Sequence, residues 1–149
     1  MKIITEGSMI EFSAGIPMQV FLSYDRSDEE FAMALSEQLE KHGLTVWRGA
    51  AEVLPGENLW ERIGAALKAS RAMIVLLSPA SVRSETQRRE IEYVLGDPKF
   101  QGRVFPVQIR PTQDIPWILR TFNLLDAKQG AAKVGASIAE AAKLTPSVK

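Results

Sequence analysis

From residue 18 onward the chain alternates short apolar runs with segments of helical period. Met18-Gln19-Val20-Phe21-Leu22-Ser23 reads as a buried strand. Ser27-Asp28-Glu29-Glu30 then has capping-box spacing, with the Ser27 oxygen accepting from the Glu30 N–H and Glu30 reaching back to the Ser27 N–H. Phe31, Leu35 and Leu39 form one helical face, and Gly43 supplies a left-handed stop. Leu44 to Trp47 is a second short strand, followed by a loop with Pro55-Gly56 as its turn. Asn58 caps a second helix that buries Ile63, Ala66 and Leu67.

Arg71 to Ser78 is the strongest strand and is apolar on both faces, as in a covered parallel sheet. Ser84 to Gln87 is a second capping box, opening a helix through Ile91, Val94 and Leu95 that Gly96 and Pro98 end. Val104 to Ile109 is a fourth strand, with Pro106 awkward inside it. Pro116 to Arg120 is a short helical turn, and Phe122 to Leu125 a fifth strand. Residues 131 to 144 form a last helix with Val134, Ile138, Ala141 and Leu144 inward. Residues 1–17 are aperiodic and read as a flexible arm or linker ahead of a domain over 18–149.

Five strand–helix alternations predict a three-layer α/β domain with a mainly parallel five-stranded sheet and helices on both faces. In the flavodoxin-like order 2-1-3-4-5 a ligand site falls at the carboxyl ends of strands 1 and 3. The residues leaving those ends are Ser23, Tyr24, Asp25 and Arg26, then Ser78.

Composition narrows the chemistry. The 149 residues suit one domain, and 18 basic residues balance 18 acidic ones, so no net field drives binding to nucleic acid or a membrane. There is no cysteine and a single histidine, which excludes disulfides, thiolate catalysis and paired-histidine metal sites, and fits a reducing compartment. His42 reads as a helix-end residue. The longest clean apolar run, Met73 to Leu77, is far short of the about 20 residues a membrane helix needs. The N-terminus does not read as a signal peptide. No G-x-G-x-x-G follows the first strand and no P-loop occurs. Leu77-Ser78-Pro79 lacks the aspartate that a phospho-accepting receiver carries after its third strand.

Three segments together resemble the TIR (Toll/interleukin-1 receptor) domain. Val20-Phe21-Leu22-Ser23-Tyr24 is similar to the family's V-F-[IL]-S-Y opening. Gly43 to Trp47 and Leu54 to Leu59 resemble its second strand and the BB loop after it. Ile74 to Pro79 with Ser84 and Glu90 resemble its strand-S-P…S-x-W-C-x-x-E segment. Pro106-Val107 and Asp114-Ile115-Pro116 resemble later parts, so the likeness runs over residues 18 to 144. The family's tryptophan and cysteine fall on Thr86 and Gln87. Its acidic residue early in the loop falls near Gly49 and Ala50, while Glu52 keeps one carboxylate there.

The resemblance implies either NAD cleavage or a purely interacting module. For an enzyme, the catalytic residue is Glu90, with Ser23, Tyr24, Arg26, Arg48, Leu59, Ser78 and Thr86 as substrate-binding positions. NAD is the substrate, and no cofactor or metal is implied. The chemistry is sufficient with one carboxylate: nicotinamide leaves as a neutral molecule, so no general acid is needed, and an anion steadies the oxocarbenium-like ribose. By spacing alone Glu90 lies at the margin of a buried face, where an ordinary surface glutamate is the alternative. Arg26 and Arg48 could meet the diphosphate or be solvated; Ser23 and Ser78 could admit a ligand or serve as turn hydroxyls. Tyr24, Trp47 or Trp60, or an aromatic residue of a neighbouring protomer, could supply the aromatic face that Thr86 lacks, and Trp47 suits the core as well. The apolar loop residues Val53, Leu54 and Pro55 suit a contact surface. The resemblance further implies self-association through the loop Arg48 to Asn58, a sensor domain fused or separate, a cytoplasmic location, and a role in bacterial antiviral defence or cell death.

Overall fold

The computed structural model describes residues 18–144. The expected arm over residues 1–17 and the side chain of Leu144 lie outside the described residues. The elements are β1 Gln19–Ser23, α1 Glu29–Lys41, β2 Thr45–Trp47, α2 Leu59–Ala69, β3 Ala72–Leu77, α3 Glu85–Leu95, β4 Val104–Gln108, β5 Leu125–Asp126 and α4 Ala131–Leu144. Short 3-10 turns link several of them. The sheet order is β2-β1-β3-β4-β5 and every pairing is parallel.

The two faces of the sheet divide the core by the two-residue repeat of a strand. Val20, Leu22, Ile74 and Leu76 pack with Leu35, Leu39, Val134 and Ile138 of α1 and α4. Phe21, Met73, Val75 and Leu77 pack with Ile63, Leu67, Ile91 and Val94 of α2 and α3. All of β3 is buried, so the apolar run from Ala72 to Leu77 has a partner on each side.

Pro106 fits its strand for a geometric reason. The Met73 N–H bonds Arg103 O and the Ile109 N–H bonds Leu77 O, so odd residues of this stretch face β3. Pro106 therefore turns its missing donor toward β5, whose pairing begins only at Val107.

Three local expectations are corrected. Ser27 does not cap α1. Asp25 accepts from the Ser27 N–H at 2.9 Å and the Ser27 hydroxyl at 2.7 Å, so the capping belongs to a 3-10 turn over Arg26–Asp28 and α1 starts at Glu29 without a side-chain cap. The fifth strand is Leu125–Asp126 rather than Phe122 to Leu125, because Phe122 and Leu124 turn into the core before pairing begins. On α4 the buried stripe is Val134, Ile138, Ala139 and Ala142, and Ala141 is exposed. That stripe also contains buried Gly135, where α4 lies so close to α1 that an added Cβ would sit 2.8 Å from Gln38 Cβ. Its centre is thereby shifted away from Ala141.

Candidate active site

Glu90 is placed by three decisions made in the sequence. Ser84 caps α3, its oxygen accepting from the Gln87 N–H at 3.1 Å. The helical period then puts Gln87, Glu90, Ile91 and Val94 on the buried stripe. Finally, Ser23 shares the strand parity of Phe21 and so faces α3. Its hydroxyl donates to Glu90 Oε1 at 2.7 Å. Glu90 is only 3 % exposed, well inside the margin expected of it. Burial pushes its carboxyl from the ordinary 4.5 up to about 7, and the Ser23 hydrogen bond opposes that rise.

The second half of the expected capping box does not form. Gln87 reaches inward, donating to Ser23 O at 3.3 Å and Leu76 O at 3.1 Å. Thr86 is half-buried one turn before Glu90 on α3.

Strand parity sends Ser78 the other way. It follows Ile74 and Leu76, faces α1, and donates to Asp28 Oδ2 at 2.6 Å. Arg110 Nη1 meets Asp28 Oδ1 at 3.2 Å as an ion pair. The Asp28 side chain is fully buried and that of Arg110 is half-exposed. The carboxyl edge of the sheet thus carries two buried carboxylates on opposite faces, Glu90 with Ser23 and Asp28 with Ser78 and Arg110. Sequence reasoning named the serines and Glu90 but missed Asp28 and Gln87. The available signal was parity: Ser23 and Ser78 fall on different faces once the strands are counted from Phe21 and Leu76.

Tyr24, Arg26 and Arg48 line a cleft of about 130 Å³ with Glu29, Ala50 and Ala51. The Tyr24 hydroxyl donates to Glu29 Oε1 at 2.9 Å. Desolvation, the Glu29 hydrogen bond and the nearby Glu29 charge push its pKa up to about 12, against an opposing pull from Arg48. Arg48 lies 3.5 Å from both Glu29 Oε2 and Glu52 Oε2, so its charge is shared with two carboxylates. Arg26 is exposed. Gly49 has φ +54° and would place a Cβ 3.2 Å from Leu22 O, a conformation and a close approach that favour glycine.

Leu59 packs half-buried against the α2/α3 core. Trp60, 42 % exposed, has the Arg89 guanidinium 5.3 Å over its ring. Trp47 packs against the same core with Arg62 4.9 Å over its face. Among the described residues no group of three or more His, Asp or Glu side chains could hold a metal ion. Nor is any helix there long and apolar enough to cross a membrane.

Comparison with known proteins places these features in a family context. The family model described as the TIR domain matches residues 20–142. No curated protein matches the chain. Among solved structures, the TIR domain of the Toll-related receptor TRR-2 from the lower metazoan Hydra magnipapillata is similar, with TM-score 0.69 and 21 % identity, covering 83 % of this chain and 97 % of that one. A metazoan TIR-STING receptor from C. gigas in complex with 2′,3′-cGAMP gives TM-score 0.66 and 23 % identity, covering 80 % of this chain and 39 % of that one. The TIR domains of the activated Roq1 resistosome give TM-score 0.54 and 19 % identity, covering 86 % of this chain and 85 % of that one.

Proposed function

On the premise that this chain belongs to the TIR domain family, as the match over residues 20–142 shows, we propose that it cleaves NAD with Glu90 as its catalytic residue. The observation that carries this reading is Glu90 itself. It is a carboxylate 3 % exposed at the carboxyl edge of a parallel sheet, held at 2.7 Å by the Ser23 hydroxyl, with no charged partner among the described residues. In NAD the bond from ribose C1′ to the nicotinamide nitrogen breaks, and its electron pair leaves with neutral nicotinamide. The ionised Glu90 carboxylate stabilises the cationic ribose. Water then adds at C1′ and releases a proton, giving ADP-ribose; attack by an adenine nitrogen instead gives a cyclic product.

Because Glu90 is covered, the ribose reaches it only after a neighbouring segment moves. We assign that movement to self-association through the loop Arg48 to Asn58, where Leu54 is 64 % exposed. A cytoplasmic effector role in bacterial antiviral defence or cell death, controlled by a sensor domain, belongs to the same proposal.

Nicotinamide release from NAD tests the reading, with wild type and Glu90→Ala compared over a range of protein concentrations and under forced assembly. Release that rises more than linearly with protein, rises with pH through about 7 as Glu90 ionises, and vanishes in the variant is the expected result. Release that persists in Glu90→Ala removes Glu90 from the chemistry.

A second reading is a non-enzymatic module that binds other TIR domains. Leu54 and Trp117, 64 % and 75 % exposed, favour a contact role, and Thr86 stands where an aromatic face is absent. The absence of nicotinamide release even in a forced assembly selects this reading.

A further inference from the structure

Two side chains of α3 converge on one residue of β1. Gln87 Nε2 donates to Ser23 O at 3.3 Å and to Leu76 O at 3.1 Å, while the Ser23 hydroxyl donates to Glu90 Oε1 at 2.7 Å. Gln87 and Glu90 stand three residues apart on one helical stripe. Ser23 is thus held by its carbonyl from one position and by its hydroxyl from the next. The pair Ser23–Val75 is the last in the β1–β3 register, so the two carbonyls that accept from Gln87 lie where that ladder ends. Ser23 is fully buried, and Gln87 and Glu90 are each 3 % exposed, so water does not compete for these bonds.

We infer that Gln87 is a positioning residue: by fixing the main chain of Ser23 against α3, it keeps the Ser23 hydroxyl on one Glu90 oxygen and leaves the other oxygen for the substrate. This rests on the reading of Glu90 as the catalytic carboxylate. Neighbouring charges are engaged elsewhere. Arg89 turns to Glu85 at 2.9 Å and to the Trp60 ring. Tyr24 and Arg48 hold Glu29, and Arg62 of α2 holds Glu57 at 3.3 Å.

The test is a carbon-detected NMR titration of the Glu90 carboxyl in the whole chain, for wild type, Gln87→Met, Ser23→Ala and the double variant, beside the pH profile of nicotinamide release. Methionine keeps the volume of glutamine and loses the donor. The Glu90 midpoint should move upward in Gln87→Met, in the same direction as in Ser23→Ala, and the double variant should match Ser23→Ala alone. The acid limb of the pH profile should move with it. At pH 7, kcat should fall about fivefold to tenfold, the worth of one hydrogen bond, while KM changes less than about twofold. A Glu90 midpoint that stays at its wild-type position in Gln87→Met, or a double variant that shifts by both single effects together, overturns the inference. Should Gln87→Met not fold, Gln87→Asn keeps the amide but shortens its reach and decides the same question. Persistent release in Glu90→Ala would defeat the catalytic reading alone, because the titration reads the positioning without any substrate.

Discussion

Replacing Glu90 with glutamine removes a carboxylate that the fold keeps out of water. In the folded chain that carboxyl ionises near 7 rather than at its ordinary 4.5, a gap worth about 3 kcal/mol. At 3 % exposure little solvent screening reduces the figure. Below pH 4.5 both folded and unfolded chains hold the proton and no penalty exists. Between 4.5 and about 7 the unfolded chain releases its proton while the folded chain keeps it, so stability falls as pH rises. Above about 7 the full penalty is present. Glu90→Gln should therefore leave stability nearly unchanged near pH 4.5 relative to its own baseline, and gain up to about 3 kcal/mol by pH 8.5, roughly 6 to 12 °C in Tm. The glutamine oxygen still accepts from Ser23, but its new N–H groups need partners, which costs about 1 to 3 kcal/mol if they find none. That cost does not depend on pH, so the informative quantity is the slope of the difference. Urea unfolding of both proteins across pH 4.5 to 8.5 measures it, since every other titrating group cancels between them. A stability difference flat to within about 0.5 kcal/mol over that range would refute the argument that burial raises the Glu90 pKa.

Ser78→Ala should cost about 1 to 3 kcal/mol by leaving one oxygen of buried Asp28 without its donor. In a titration of Glu90 the same variant should leave the midpoint unmoved, because Ser78 serves the opposite face of the sheet. Gly135→Ala should destabilise by about 1 to 3 kcal/mol in thermal unfolding despite alanine's better helix propensity, because its Cβ would lie 2.8 Å from Gln38 Cβ. Leu54→Asp should leave folding stability within about 0.5 kcal/mol, the residue being 64 % exposed, yet weaken self-association in sedimentation velocity and lower nicotinamide release at high protein concentration.

The fold was readable because its signals are local and agree with one another. The apolar run before Ser78, the Asn58 and Ser84 caps and the left-handed Gly43 each specify one element, and together they leave one parallel order. Errors arose where two local signals compete. Asp25 sits two residues before Ser27 and takes its N–H, which no spacing rule for Ser27 and Glu30 reveals. Gln87 satisfies the capping-box pattern, but its side chain reaches instead the carbonyls of Ser23 and Leu76 at the end of the β1–β3 ladder. The grouping of Ser23 with Ser78 came from topology alone. Two-residue parity separates them and was available without a structure. Asp28 escaped notice for a different reason: its partner Arg110 lies on another strand's exit, and nothing local announces the pairing.

The contrast between the two buried carboxylates bears most directly on function. Asp28 and Glu90 lie at the same edge of one sheet, each beside a serine leaving a strand. Asp28 also meets a guanidinium at 3.2 Å, the arrangement that makes a buried charge tolerable. Glu90 has the serine hydroxyl and the Gln87 amide behind it, but no cation among the described residues, and so costs about 3 kcal/mol at pH 8 in a domain whose whole stability is of order 5 to 15 kcal/mol. Arginine beside it would lower that penalty, and Arg89, the preceding residue on the helix, faces away to Glu85 and Trp60. A permanent cation there would neutralise the negative charge that the proposed NAD cleavage uses to stabilise a cationic ribose. The missing partner is therefore what a catalytic role at Glu90 requires, while the partnered Asp28 serves the structure.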